Sequence, residues 1–435
     1  VTIAEIGRRL RARELSVREL TEHTLAGIER EQPRLNAFIT VTGESALARA
    51  AELDALLARG DDLGPLHGIP VAHKDCFFTK GVRTTAGSRV FADFVPDRDA
   101  EVVHRLHAAG MVMVGKTNLH ELTYGITSIN AAFGTVHNPH HATRVSGGSS
   151  GGSGAAISAG LVPGATGTDT GGSIRIPASF CGCVGLKPTY DRISRDGVMP
   201  LGPSQDHVGP IAANIADTAL LYAAMAGVVV NAEPGVHGLR IGLPENYFWE
   251  NLAPEVRFGV RGAVQVIGAL GALPREVRVP DVAPLMEVAR ITLLFEAAAS
   301  FGGFDPNLLG DDVRARVEEG RRISAEEYQR AQELRAELAR EFALLWRDLD
   351  LLVTPTTPMT AFPIEGSEDL RPEATRLTRP FNLLGWPALS LPCGVSSEGL
   401  PIGVQLVAAP GNEDVLFRAG AAIEAGVKIP IKKRQ

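Results

Sequence analysis

The sequence predicts an α/β fold in one large domain spanning residues 1–435, and three observations carry that expectation. Between residues 64 and 190, short apolar runs alternate with helical patterns, as they do where strands and helices are taken in turn. The 435 residues are 45% hydrophobic and 21% charged, the make-up of a globular chain that buries a sizeable core. No internal repeat and no interdomain linker divides them, so one domain larger than average is more economical than two.

In chain order, Ile3, Ile6 and Leu10 stand at helical spacing within residues 2–13, and Ser16 with Glu19 makes a capping box for a second helix to about Arg30. Leu35–Val41 reads as a strand and Glu44–Arg59 as a helix stopped by Gly60. Residues 1–60 are therefore expected to form a helical arm packed on the body. Val112–Val114 is a strand, and Asn118 with Glu121 predicts a capped helix after it. Further on, helices are predicted over Asn214–Ala226, Pro254–Leu270 and Glu413–Ala425, with the longest running from Ser324 and Glu327 to about Asp348. Strands are predicted over Leu239–Pro244 and Leu349–Val353, with a pair at 387–394 and 402–407. The polar, proline-bearing stretch 356–378 reads as a surface loop.

Composition narrows the function. A net charge of −7, with no basic stripe along any helix, argues against a nucleic-acid partner. No apolar run reaches 18 residues and the first residues lack the apolar core of a signal peptide, so a cytoplasmic protein with no membrane partner is expected. Cys76, Cys181, Cys183 and Cys393 are too few and too irregular for a disulfide framework and read as small buried residues. The basic tail Lys428–Arg434 receives no function.

Two sequence patterns match nucleotide or hydrolase motifs but sit in the wrong context. Gly110 to Thr117 fits the phosphate-loop pattern, yet its four intervening residues form an apolar strand whose N–H groups are spent in a sheet. Gly147-x-Ser149-x-Gly151 fits a nucleophile elbow, but a polar loop precedes it where a strand is required. His137, His140 and His141 surround the turn Asn138-Pro139 with no acidic or cysteine partner nearby, so no metal site is read there.

The stretch Gly147–Arg175 is different. Two glycine-serine clusters, 147–152 and 171–173, are joined by small apolar residues that a linker would not need. Glycine lets the backbone approach closely and turn its N–H groups inward, so Thr170-Gly171-Gly172-Ser173 could hold a developing oxyanion. Ser173 then needs a base, and nothing around His141 or His207 marks either as one. Lys74 ends a short apolar run and can serve if desolvation lowers its pKa. This chain writes most of its cations as arginine, which cannot lose its proton, so the lysine at 74 stands out, although Lys80, Lys116 and Lys187 occur too.

These residues resemble the amidase signature hydrolases. The resemblance is carried by GIPVAHKD (68–75), RTTAGS (83–88), GKTNLHEL (115–122), GGSSGGS (147–153), GTDTGGSIRIPASFCG (167–182) and GLKPT (185–189), so residues 64–190 would be the signature core. It implies a mixed, twisted β-sheet sandwiched between helices. It also implies a triad with Ser173 as acyl-forming nucleophile, Lys74 as base and Ser149 as bridging serine, joined to Gly148 by a cis peptide. The N–H groups of Thr170, Gly171, Gly172 and Ser173 match the family's oxyanion hole, and Thr123 and Tyr124 match a pocket-lining segment. Asp169 and Arg175 flank Ser173 closely enough in sequence to pair and steady the turn.

The implied activity is hydrolysis of a small-molecule carboxylic amide to acid and ammonia or amine, without cofactor or metal and with room for a homodimer. Other readings stay open: a carbamate or urea C–N hydrolase, the glutamine-hydrolysing subunit of a tRNA-amidating complex, and a non-catalytic ligand-binding protein on the same fold. A cysteine amidase of the nitrilase type would nominate Cys181 or Cys183. Thr375 stands where the tRNA-amidating members would carry a substrate-binding aspartate, which favours a stand-alone enzyme. Asp191 replaces a glycine common in the family.

Overall fold

The site is organised by a sheet whose strand order places three parallel strands side by side near one edge. The chain, as a computed structural model describing residues 1–427 apart from the side chains of residues 368 and 369, joins eleven strands among the described residues. They are β1 (Phe38–Val41), β2 (Pro70–Lys74), β3 (Val112–Thr117), β4 (Gly164–Asp169), β5 (Val184–Lys187), β6 (His207–Ala212), β7 (Arg240–Pro244), β8 (Leu273–Val277), β9 (Leu351–Pro355), β10 (Ala388–Val395) and β11 (Pro401–Val407). Their order is β1-β3-β2-β4-β6-β5-β10-β11-β9-β7-β8. β3, β2 and β4 run parallel, as do β9, β7 and β8, and the strands between them pair antiparallel. The expected mixed α/β sheet flanked by helices is thus what forms. The tail Lys428–Arg434 lies outside the described residues.

Strands β9 and β11 are buried along their whole length and β10 over its first four residues, as strands covered by helices are. Leu351, Leu352 and Val353 of β9, Leu389 and Leu391 of β10, and Val404 and Leu406 of β11 are all buried. The helices Pro254–Ala269 and Glu413–Gly426 pack on β10 and β11, and Arg175–Cys181 packs on β5, β10 and β11.

Local signals mostly hold. The Ser16–Glu19 and Ser324–Glu327 capping boxes both form, Asn214 caps Ile215–Ala226, and Gly60 ends its helix in the left-handed region. Five differences stand out. The second helix runs on to Leu35, carrying Pro33 inside it at the cost of one i→i−4 hydrogen bond; Asn36 at φ +49° stops it. The strand read over Leu35–Val41 forms but starts at Phe38, and it pairs with β3 at the sheet edge. No helix follows Asn118: its side chain instead bonds Asn36 O and Gly134 O, and the chain makes one 3₁₀ turn, Glu121–Thr123, with Leu122 and Thr123 at positive φ. The helix from Ser324 ends at Ala343 in a 3₁₀ turn over Leu344–Arg347. Residues 356–378 are no simple surface loop, because Thr356, Thr357, Phe362, Leu377 and Thr378 are buried and Arg371–Thr375 is helical.

One glycine shows how tightly the signature core is assembled. Gly152 lies in the first turn of the helix Gly151–Ser158 and donates its N–H to Asn118 O at 3.0 Å, and a Cβ there would sit 2.3 Å from Asn118 O and 2.5 Å from Ala37 O. Gly152→Ala is expected to cost about 1–3 kcal/mol, read as a lower urea midpoint at unchanged slope.

Candidate active site

Lys74 is the last residue of β2, flanked by the parallel strands β3 and β4, so it stands at the carboxyl ends of the strands where open α/β sheets leave room for ligands. It is fully buried. Its Nζ donates to Ser149 Oγ at 2.7 Å and to Thr168 Oγ1 at 2.7 Å, and among the described residues it has no ion pair. Burial pushes its pKa down to about 8, against the weaker pull of Cys76, Asp169 and Asp206. Along β4, alternate residues share a face, and two of them serve this lysine: Thr166 Oγ1 accepts its main-chain N–H at 3.2 Å, while Thr168 takes the ammonium.

Ser149 follows a cis peptide bond from Gly148, as the resemblance implied. Its carbonyl accepts from the His120 N–H at 3.1 Å. Ser150 then joins the two serine-bearing segments, its N–H donating to Ser173 O at 3.1 Å and its hydroxyl to Thr168 O at 3.2 Å. Ser173 is buried, and among the described residues its Oγ has no hydrogen-bond partner.

The Thr170–Ser173 turn is held by one carboxylate. Asp169 Oδ1 accepts from the Gly172 N–H at 2.8 Å, and Oδ2 accepts from the Ile174 N–H at 3.0 Å. Arg175 grips the same carboxylate through Nε at 3.0 Å and Nη2 at 2.9 Å, so the expected Asp169–Arg175 pair forms, fully buried. Burial opposes charge on Asp169, but Arg175 and the Asn382 amide outweigh it and hold the carboxyl well below the usual carboxylate range. One expectation is corrected here: the Gly172 N–H points at Asp169 and is not free to hold an oxyanion. Among the described residues the N–H groups of Thr170, Gly171 and Ser173 have no protein acceptor.

Distant chain completes this shell. Arg175 Nη1 reaches Thr378 O at 3.0 Å and Gln405 Oε1 at 2.6 Å, and its Nη2 reaches Asn382 Oδ1 at 2.6 Å. Thr378 Oγ1 donates to Gly171 O at 2.7 Å. Sequence reasoning missed Thr168, Thr378, Asn382 and Gln405. Alternation along β4 could have found the first; the others lie more than 200 residues from Asp169 and carry no local signal.

A cavity of about 140 Å³ is lined by Thr123, Thr168, Arg195, Asp206 and His207 among others. Thr123 therefore lines a cavity that also touches the Lys74 partner Thr168. Tyr124 instead packs in an apolar cluster with Leu293 and Ala297, its Oη without a partner and its ring 4.2 Å from the Arg316 guanidinium carbon. His207 pairs opposite Asp169 in the sheet; burial holds it neutral, and its Nδ1 faces the carbonyls of Gln205 at 2.6 Å and Asp169 at 3.2 Å. A larger cavity, about 340 Å³, is lined by Phe258, Val266, Cys393 and Ile402 and shares no residue with the site. All four cysteines are free and buried, and burial raises each thiol pKa, to about 11 for Cys76 and about 12 for Cys183, which makes them poor nucleophiles. Asp191 takes φ +61°, a conformation that explains why glycine suits that position.

A buried lysine on a serine, beside a second serine in a glycine turn with unclaimed N–H groups, defines a class of acyl-transfer hydrolase. Comparison with known proteins gives the family. The amidase family model matches residues 19–417, and the chain belongs to that family. It is similar to a glutamyl-tRNA(Gln) amidotransferase subunit from Chloroflexus aggregans, 40% identical over 98% of this chain and 96% of that protein. Among solved structures it resembles the peptide amidase from Stenotrophomonas maltophilia, with a TM-score of 0.87 and 30% identity over 98% of this chain and 96% of the other. It also resembles a 6-aminohexanoate cyclic dimer hydrolase, with a TM-score of 0.90 and 29% identity over 98% and 97% of the two chains. The protein is an amide-hydrolysing enzyme. Among the described residues no helix is long and apolar enough to cross a membrane.

Removing the charge of Asp169 strands a buried guanidinium. Asp169→Asn is expected to lose about 3–5 kcal/mol of stability, read as a fall in the urea midpoint.

Proposed function

We propose that the chain is a stand-alone serine amidase that cleaves a small carboxylic amide to acid and ammonia or amine through an acyl-enzyme on Ser173. The observation that carries this reading is the 2.7 Å contact between Lys74 Nζ and Ser149 Oγ, in a place where the described residues supply the lysine with no counter-ion. With a pKa of about 8, an appreciable share of Lys74 is neutral near physiological pH and able to accept a proton. It takes one through Ser149 as Ser173 Oγ attacks the substrate carbonyl. The oxygen of the tetrahedral intermediate is held by the unclaimed N–H groups of Gly171 and Ser173, with Thr170 beside them. On collapse, Ser149 delivers a proton to the leaving nitrogen and is recharged by Lys74. Water then attacks the acyl-serine by the same route and releases the acid. Asp169 and Arg175 keep the turn in shape without touching the reacting atoms.

The stand-alone reading is supported by Thr375. Its hydroxyl is buried and turned onto its own helix, donating to Pro372 O at 3.0 Å, so it offers no charge to a substrate amine. A second reading, glutamine hydrolysis within a tRNA-amidating complex, is favoured by the name and 40% identity of the relative from Chloroflexus aggregans. A screen of simple amides, anilides, carbamates and ureas against glutamine separates these readings: glutamine as the only substrate would replace the first with the second.

Ser173→Ala and Lys74→Ala are each expected to lower kcat by on the order of 10⁴-fold or more with circular dichroism unchanged, and mass spectrometry of the wild type should trap an acyl group on Ser173. Full activity in either variant would end the proposal. Because the neutral amine is the working form, kcat/KM should rise with pH and level off above about 8. A profile still climbing at pH 10 would mean that Lys74 is not desolvated in the working enzyme.

A further inference from the structure

Arg379 lies beside the Thr170–Ser173 turn with nothing among the described residues to pair with. It follows Thr378, whose hydroxyl is fastened to Gly171 O at 2.7 Å, and its Nε would be 3.5 Å from a Cβ placed on Gly171. Nε is buried and without a partner, and among the described residues no nitrogen of this guanidinium makes a hydrogen bond or an ion pair. The ionisable groups it feels are Tyr124, Tyr247 and Arg316. Both phenols stay neutral, burial pushing their pKa up to about 12, and the third group is another cation. The carboxylate that partners Arg316, Asp312, serves Arg316 at 2.7 Å, Arg371 at 3.2 Å and His120 at 2.9 Å. Arg376, nearby in sequence, has Glu373 at 2.5 Å.

A guanidinium held half out of water without an anion is costly, and its planar fork matches a carboxylate. Consecutive Cα atoms are about 3.8 Å apart, so Ser173 lies within about 7.6 Å of Gly171. A ligand atom on Arg379 is therefore a short linker away from a carbonyl on Ser173. We infer that Arg379 is a recognition residue for a carboxylate on the acyl side of the substrate, so that the preferred substrates are amides of short dicarboxylic acids. The buried, unpartnered Tyr124 Oη is a further donor for the same group. This rests on Ser173 being the attacking residue.

The test compares succinamate with butyramide and adipamate with hexanamide, pairs that differ in the terminal carboxylate. The wild type should prefer the charged member of at least one pair by roughly 10- to 100-fold in kcat/KM, mostly through KM, as one charged hydrogen-bonded contact is worth. In Arg379→Gln that ratio should fall to near one, with Arg379→Lys in between. Calorimetry with succinate and adipate should show saturable binding to the wild type that weakens by a similar factor in Arg379→Gln. A wild-type ratio near one for both pairs, or a preference surviving in Arg379→Gln, overturns the inference, and the wild-type comparison stands even if the variant does not fold. Arg379-dependent carboxylate binding without cleavage of any amide would uphold the carboxylate site and sink the serine-amidase reading instead.

Discussion

The Asp169–Arg175 pair, closed off from water, is the contact on which the candidate site depends. One carboxylate orients the Gly172 and Ile174 N–H groups, and the guanidinium that neutralises it collects Thr378, Asn382 and Gln405 from chain more than 200 residues away. A buried pair of this kind contributes little over an apolar replacement, but removing either member leaves an unpaired charge in a dry place. Its value lies in fixing where the turn sits relative to β4 and β10–β11. That position decides which N–H groups are used up and which remain for a substrate.

Three cations near this turn, Arg175 and Lys74 fully buried and Arg379 half-buried, carry the same charge in different company, and their partners sort them. Arg175 has a carboxylate and three further acceptors, so it is fixed and fully satisfied. Lys74 has two hydroxyls and, among the described residues, no anion, so it is the one of the three poised to lose its proton. Arg379 has neither among the described residues, and arginine does not lose its proton, so its charge waits for something outside the chain.

Much of this was legible because the signals are local. The glycine turn, the two serines, Lys74 and the Asp169–Arg175 pair all fall in stretches whose residue types announce close backbone approach or local pairing. The capping boxes at Ser16 and Ser324 were equally plain, because a cap is decided by four adjacent residues. The Asn118–Glu121 signal failed for the same reason: it satisfies the local pattern of a cap, but Asn118 is claimed by Asn36 and Gly134, and a local pattern cannot reveal a tertiary competitor. The helix Ala283–Phe301 went unread although Leu285, Ala289, Leu293 and Ala297 step by four, a period visible in the sequence. Thr378, Asn382 and Gln405 were beyond reach in principle, since β10 and β11 must be folded against β5 before they meet Arg175.

Keeping Lys74 dry has a thermodynamic consequence that runs against stability. Its pKa is about 8 in the folded chain against 10.5 when exposed. At roughly 1.4 kcal/mol per pKa unit, the fold carries a penalty of about 3 kcal/mol for an ammonium held away from water. The sign follows from proton counting: between pH 8 and 10.5 the unfolded chain binds the extra proton, so stability from this group rises with pH across that window. Below about 8 the penalty is complete. Near neutral pH the protein therefore holds this lysine where it is least favourable for the fold, its two 2.7 Å hydroxyl contacts notwithstanding. A lysine kept for packing would be better off with a carboxylate beside it, as Lys116 has Asp75 at 3.3 Å. The absence of one at Lys74, among the described residues, is what leaves the amine able to work as a base.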